Sequence, residues 1–272
     1  MPSSRIQKCF NELKRFKKKA LIPYITAGDP SVNLTVSLMH ALVESGADII
    51  ELGIPFSDPI ADGPVIQRAS ERALEQGVNL EICLSFVKEF REKNASTPIV
   101  LMGYMNPIEQ FGWDYFANMA ASVGVDGVLV VDCPPEESRI FFDKLKGVNI
   151  DCIHLVAPTT SQERLKKILR GASGYIYYVS LRGVTGSNKL DPVDVSEKIN
   201  YVKKHTKLPV AVGFGISSRD SVSDIAKTDA DGVVIGSSLI KVMEEATVKK
   251  GSPIQLVKDR LEDFGKGLSE KR

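Results

Sequence analysis

Short runs of β-branched and apolar residues alternate along the chain with longer stretches in which apolar residues return every three or four positions. The short runs fall at residues 21–27, 47–54, 99–105, 127–131, 152–156, 175–180, 210–214 and 233–236, and each reads as a strand. Between them, Leu34/Leu38/Leu42, Ile82/Phe86/Phe90, Phe116/Met119/Val123, Leu165/Ile168/Leu169 and Ile254/Val257/Leu261/Phe264 recur at helical spacing. Ser252 before Pro253 supplies an N-cap and a first-turn proline for the last of these helices. Strands that follow one another with a helix between them need crossover connections, hence a parallel sheet sheathed by helices. Eight such units in 272 residues match one closed (β/α)8 barrel, so the expected fold is α/β, a single TIM-barrel domain over residues 1–272.

The rival architecture is a doubly wound open sheet, which places a glycine fingerprint after its first strand. Here Thr26-Ala-Gly-Asp-Pro30 stands in that place, and Gly213-Phe-Gly-Ile-Ser-Ser218 lacks the third glycine of the dinucleotide motif. No GxxxxGK[ST] phosphate loop occurs either. Residues 5–19 put Ile6, Phe10, Leu13 and Phe16 on one face among Lys14, Arg15, Lys17, Lys18 and Lys19. This reads as an extra N-terminal helix closing the bottom of the barrel with its lysines solvated; a membrane-surface helix is the alternative.

Composition narrows the function. Lys and Arg exceed Asp and Glu by 35 − 34 = 1, so no global field favours nucleic acid or anionic lipid. No apolar run approaches the ~18 residues of a membrane span. The basic start followed by an apolar run is too short, and too interrupted by Pro23, for a secretion signal, so a cytoplasmic chain is expected. Cys9, Cys83, Cys133 and Cys152 lie far apart with no CxxC, which suggests plain thiols and no metal site. His40, His154 and His205 form no cluster and read as packing or surface residues.

In a barrel the chemistry sits in the loops after the strands. Along Ala47-Asp-Ile-Ile-Glu-Leu-Gly-Ile54 the two-residue alternation places Ile49, Glu51 and Gly53 on one face, so Glu51 points into the barrel. A carboxyl among apolar side chains loses hydration and titrates nearer neutrality, which suits it to proton transfer. The next loop, through Pro64, carries Asp58 and Asp62; Asp62 stands either as the second member of an acid–base pair or as the N-cap of the helix that follows. Loops six, seven and eight bear Gly183-Val-Thr-Gly186, Gly213-Phe-Gly-Ile-Ser217 and Gly236-Ser-Ser238, and glycines ahead of helix starts suit a phosphate. Loop six also has the small residues of a lid. Tyr175, Tyr177 and Val179 share a face whose direction the alternation leaves open.

The 14 residues Glu51-Leu-Gly-Ile-Pro-Phe-Ser-Asp-Pro-Ile-Ala-Asp-Gly-Pro64 resemble the signature of the tryptophan synthase alpha chain family. The likeness continues through Pro23-Tyr-Ile-Thr-Ala-Gly-Asp-Pro30, Met102-Gly-Tyr-Met-Asn-Pro107, Asp132-Cys-Pro-Pro-Glu-Glu137 and the glycine loops, in order over nearly the whole chain. The resemblance implies a lyase that cleaves indole-3-glycerol phosphate to indole and glyceraldehyde 3-phosphate. It implies no cofactor in this chain, and a beta-chain partner that carries pyridoxal phosphate and receives indole within an α2β2 tetramer. Position by position, it implies Glu51 and Asp62 as catalytic; Tyr24, Tyr177, Thr185 and Phe214 as substrate-binding; and Gly186, Gly215, Gly236 and Ser237 as phosphate-binding. Pro55, Asp58 and Asn106 fall at the partner-facing surface. Another phosphosugar barrel and a non-catalytic partner-activating barrel are the competing readings. The strands carry no lysine for a Schiff-base aldolase.

Overall fold

The computed structural model describes residues 3–137, 139–180, 192–213, 215–249 and 251–269. The first half of the chain runs α1 (Arg5–Arg15), β1 (Ala20–Thr26), α2 (Thr35–Glu44), β2 (Ile50–Gly53), α3 (Pro64–Glu75), α4 (Leu80–Arg91), β3 (Ile99–Gly103), α5 (Met105–Phe111), α6 (Trp113–Val123) and β4 (Gly127–Val130). The second half runs α7 (Arg139–Gly147), β5 (Asp151–Val156), α8 (Gln162–Gly171), β6 (Ile176–Val179), α9 (Pro192–Lys203), β7 (Val210–Gly213), α10 (Arg219–Ala226), β8 (Gly232–Ile235), α11 (Ser237–Val248) and α12 (Pro253–Ser269). The strands pair in parallel in sequence order, and β8 returns to β1 to close the barrel.

All eight expected strands form, with ends that differ by a few residues. The largest difference is at β2, whose expected start at Ala47 is three residues early. Asp48 there bonds back to Leu21, its Oδ2 accepting the Leu21 N–H at 2.8 Å, which holds the entry to the strand instead of extending the ladder. The last helix begins as expected, with Ser252 Oγ accepting the Gln255 N–H at 3.4 Å ahead of Pro253.

The N-terminal helix closes the barrel from below, its Ile6 and Phe10 buried. It is shorter than the apolar spacing predicts. It stops at Arg15, Lys17 takes a left-handed turn at φ 53°, and Phe16 points to solvent at 59% exposure instead of joining the apolar face. Two cations fix it and α4 to the barrel floor. Arg5 meets Asp126 Oδ1 at 2.8 Å and Arg91 meets Oδ2 at 2.6 Å, while Asp126 also accepts the Ile99 N–H at 2.8 Å. A nearly buried carboxylate with three donors avoids the cost of an unpaired charge.

At the other end, two strand glycines make room for large rings. A Cβ on Gly53 would stand 2.1 Å from the Tyr24 hydroxyl oxygen, and one on Gly213 would stand 2.0 Å from that of Tyr177. Both tyrosines therefore lie across the barrel interior, over positions where any side chain would displace them. Gly213→Ala is expected to lower stability by about 1–3 kcal/mol through overpacking, measured by urea unfolding. Tyr177→Ser should cost less in that background than in the wild-type chain, because it removes the clash; additive losses would contradict the contact.

Candidate active site

Glu51 enters the barrel through the alternation of β2, where it lies in register with Tyr24 of β1 and Val100 of β3. It has no exposed surface. Oε1 accepts a hydrogen bond from the Tyr175 hydroxyl, while Oε2 is buried with no hydrogen-bond partner among the described residues. Burial pushes the carboxyl up from the ordinary 4.5 to about 7, against the opposing pull of the Tyr175 hydroxyl, which favours the ionised form. Burial, and Glu51 beside it, hold the Tyr175 phenol far above its ordinary value, so it remains a donor. A carboxyl poised near neutrality with one oxygen unengaged can both give and take a proton.

Tyr175, which the sequence left without a role, is the residue that donates to Glu51. It lies just ahead of β6, and two-residue spacing puts it on the same inward side as Tyr177. Its ring packs on Phe10 of α1 with centroids 5.7 Å apart, so the N-terminal helix braces the residue that holds Glu51.

Asp62 is no helix cap. The N-cap of α3 is Gly63, with no side-chain hydrogen bond, and the Asp62 carboxylate turns away to accept the Tyr104 hydroxyl at 2.9 Å. Tyr104 in turn accepts the Ala61 N–H at 3.1 Å and packs on Phe56 at 5.2 Å between ring centroids. Burial raises the Asp62 carboxyl above its ordinary value, opposed by the Tyr104 hydrogen bond. Tyr104 lies in the Met102–Pro107 motif, but its partner is 42 positions away, which local spacing does not reveal.

Glu51, Asp62, Tyr24 and Tyr177 line one cavity of about 270 Å3 at the C-terminal mouth of the barrel, together with Gly215, Gly236 and Ser237. A larger hollow of about 660 Å3 lies at the opposite end, framed by lysines of the segment after α1 and by the turn before β7, and holds none of these residues. The two helix starts at the mouth differ. Ser218 and Ser221 form a capping box that satisfies the first turn of α10 internally. At α11 the cap is Gly236, with no side-chain bond, so no side chain caps the N–H groups of Ser237 and Ser238, whereas those of Leu239 and Ile240 bond to the Gly236 carbonyl at 2.9 and 3.2 Å. Thr185, Gly186 and Phe214 lie outside the described residues.

Of the residues expected at the partner-facing surface, Asp58 and Asn106 are exposed, whereas Pro55 is buried. It lines a hollow of about 410 Å3 with Phe56, Pro107 and Phe111. Ile60 on the same loop is 85% exposed. His154 packs edge-on to Phe142, His40 stacks on Phe90 and His205 lies against Tyr201, all three away from the cavity. All four cysteines are free thiols. Among the described residues no three potential metal ligands converge, and no helix is long and apolar enough to cross a membrane.

A closed parallel barrel with a desolvated carboxyl at its C-terminal mouth and a second carboxyl on the following loop defines a (β/α)8 enzyme built for acid–base chemistry. Comparison with known proteins gives the particular kind. Residues 10–267 match the family model described as "Tryptophan synthase alpha chain". The tryptophan synthase alpha chain of Polynucleobacter necessarius is 58% identical over 243 residues, covering 89% of this chain and 91% of that one. That of Hydrogenovibrio crunogenus is 50% identical over 268 residues, covering 98% of each. The crystal structure of tryptophan synthase subunit alpha from Legionella pneumophila superposes with a TM-score of 0.93 at 45% identity, covering 98% of this chain and 99% of that one. The chain belongs to the tryptophan synthase alpha chain family.

The raised carboxyl has a thermodynamic signature. The folded protein holds the Glu51 proton more tightly than the unfolded chain does, so its contribution to stability is fully present below about 4.5 and is lost as pH rises through about 7. Glu51→Gln removes that loss. Its stability relative to wild type should therefore climb between pH 5 and pH 8 by about 3 kcal/mol, since each tenfold gain in proton affinity on folding is worth ~1.4 kcal/mol. Parallel stability–pH curves in urea unfolding would show that Glu51 titrates normally.

Proposed function

We propose that Glu51 and Asp62 carry out the reaction of the family, cleavage of indole-3-glycerol phosphate to indole and glyceraldehyde 3-phosphate. Protonated Glu51 delivers its proton to indole C3, and the ring becomes an indoleninium whose positive charge rests on the ring N–H. Asp62 accepts a hydrogen bond from that N–H and stabilises the charge as it develops. Ionised Glu51 then takes the proton of the hydroxyl on the side-chain carbon attached to C3. The C–O bond becomes a carbonyl, the carbon–carbon bond breaks, and its electron pair returns to the ring. Indole leaves with the new hydrogen on C3, the aldehyde leaves as glyceraldehyde 3-phosphate, and Glu51 ends protonated as it began.

The observation that carries this reading is the unengaged, buried Oε2 of Glu51 in the same cavity as Asp62 and the uncapped start of α11. Gly215, Gly236 and Ser237 suit the phosphate, because backbone N–H groups at a helix start attract an anion; the family resemblance adds Gly186. Binding of that remote group holds the reacting end against Glu51. Tyr24 and Tyr177 form the walls beside the indole; the family resemblance adds Phe214 and Thr185 as substrate-binding. Burial keeps both phenols protonated, so they add no further negative charge.

The family implies a beta-subunit partner. The surface around Asp58, Asn106 and the exposed Ile60 is where that subunit docks, in an α2β2 tetramer whose beta chain carries pyridoxal phosphate; this chain works in the cytoplasm and needs no cofactor of its own. Glu51→Gln should cut kcat for indole formation by a factor of ~10²–10⁴ while KM changes little. Asp62→Asn, which keeps shape and removes charge, should cut kcat at least about tenfold. Retention of a tenth of wild-type turnover by Glu51→Gln would refute its role, and full turnover by Asp62→Asn would refute the charge argument.

A further inference from the structure

The substrate brings a phosphate dianion into a cavity that already holds two carboxyl groups. Backbone N–H groups supply partial charge only, so a full positive charge close by strengthens the hold on the anion and offsets its repulsion with the Asp62 carboxylate. Among the described residues, Lys241 is the one cation lining this cavity. It stands four positions after Ser237, hence on the same face of α11 one turn further along. Cα–Cβ bonds in a helix tilt toward its N-terminus, so the common helical rotamers of Lys241 direct its stem back along that face toward Ser237. The four residues correspond to about 6 Å of helix rise, which a lysine stem spans.

The arginines of α3, the neighbouring element at this mouth, are engaged elsewhere. Arg68 holds Glu244 through two hydrogen bonds of 2.8 and 2.9 Å, and Arg72 holds Asp29 at 2.7 and 3.1 Å and Glu244 at 3.1 Å. Lys241 has an exposed side chain, and no ion pair involving it occurs among the described residues. The buried, unpartnered Oε2 of Glu51 in the same cavity independently marks it as a ligand site.

We propose that Lys241 is the phosphate-binding cation of this enzyme, its ammonium folding back over the start of α11 to meet the substrate phosphate beside Ser237. The assignment rests on the phosphate reading of Gly215, Gly236 and Ser237. Lys241 acts on affinity for the anionic end and leaves proton transfer to Glu51.

The test uses the full chain assayed with a beta chain present, with wild type, Lys241→Gln, Lys241→Met and Lys241→Arg compared. Loss of one charge-assisted contact should raise KM for indole-3-glycerol phosphate and Ki for inorganic phosphate about tenfold in the Gln and Met variants. The kcat should stay within about threefold, and Arg should restore most of the affinity. In the reverse reaction KM for glyceraldehyde 3-phosphate should rise and KM for indole should not. Unchanged Ki for phosphate in both neutral variants, or an equal loss of indole affinity, would overturn the role of Lys241 while wild-type inhibition by phosphate leaves the site itself standing. Absence of competition by phosphate in the wild-type enzyme would overturn the phosphate reading and this assignment with it.

Discussion

The removal of water from around Glu51 is the constraint on which the rest of the site depends. A carboxyl with no exposed surface and one unengaged oxygen is costly to ionise, and that cost brings its proton affinity to the neutral range. Several parts of the fold maintain the dryness. Closure of the eight strands removes sheet edges and fills the interior with side chains. The N-terminal helix seals the bottom, and the rings of Tyr24 and Tyr177 spread over Gly53 and Gly213 near the top. Phe10 braces Tyr175, and Tyr175 holds Glu51, so a continuous contact runs from the barrel floor to the Glu51 carboxyl.

The two carboxyls are treated differently. Glu51 sits deep on a strand, where its surroundings are fixed by barrel packing. Asp62 sits on the loop after that strand, partly exposed, and is aimed by a single hydroxyl from the next loop. Depth suits a group that must carry a proton in both directions, whereas a group that answers a developing charge needs mainly direction and a negative charge. Tyr104 supplies the direction while opposing the rise in the Asp62 carboxyl, which favours its ionised form.

Much of this was legible in the chain. Every strand could be read because buried parallel strands are nearly continuous runs of β-branched residues, and the inward course of Glu51 followed from alternation because a charge among such runs has few places to go. The same burial on both faces hid the direction of Tyr175, since a tyrosine on either side of β6 fits the pattern. The role of Asp62 required a partner 42 residues away, and before a helix an aspartate has an equally good local excuse. Phe16 left the apolar face because the helix ends one residue before it. Met105, read as strand, opens α5 instead, since short loops at a barrel mouth turn directly into helix. Lys241 carried a usable signal in its four-residue spacing from Ser237, but only once the start of α11 was fixed.

The mechanism stands or falls on where Glu51 titrates. Carbon-13 NMR of protein labelled at glutamate side-chain carboxyls, with the Glu51 resonance assigned by its loss in Glu51→Gln, reads that directly. The expected result is a single titrating carboxyl with a midpoint near 7. A Glu51 resonance that titrates near the ordinary 4.5 would contradict it, because the barrel interior would then hold enough water to hydrate the charge.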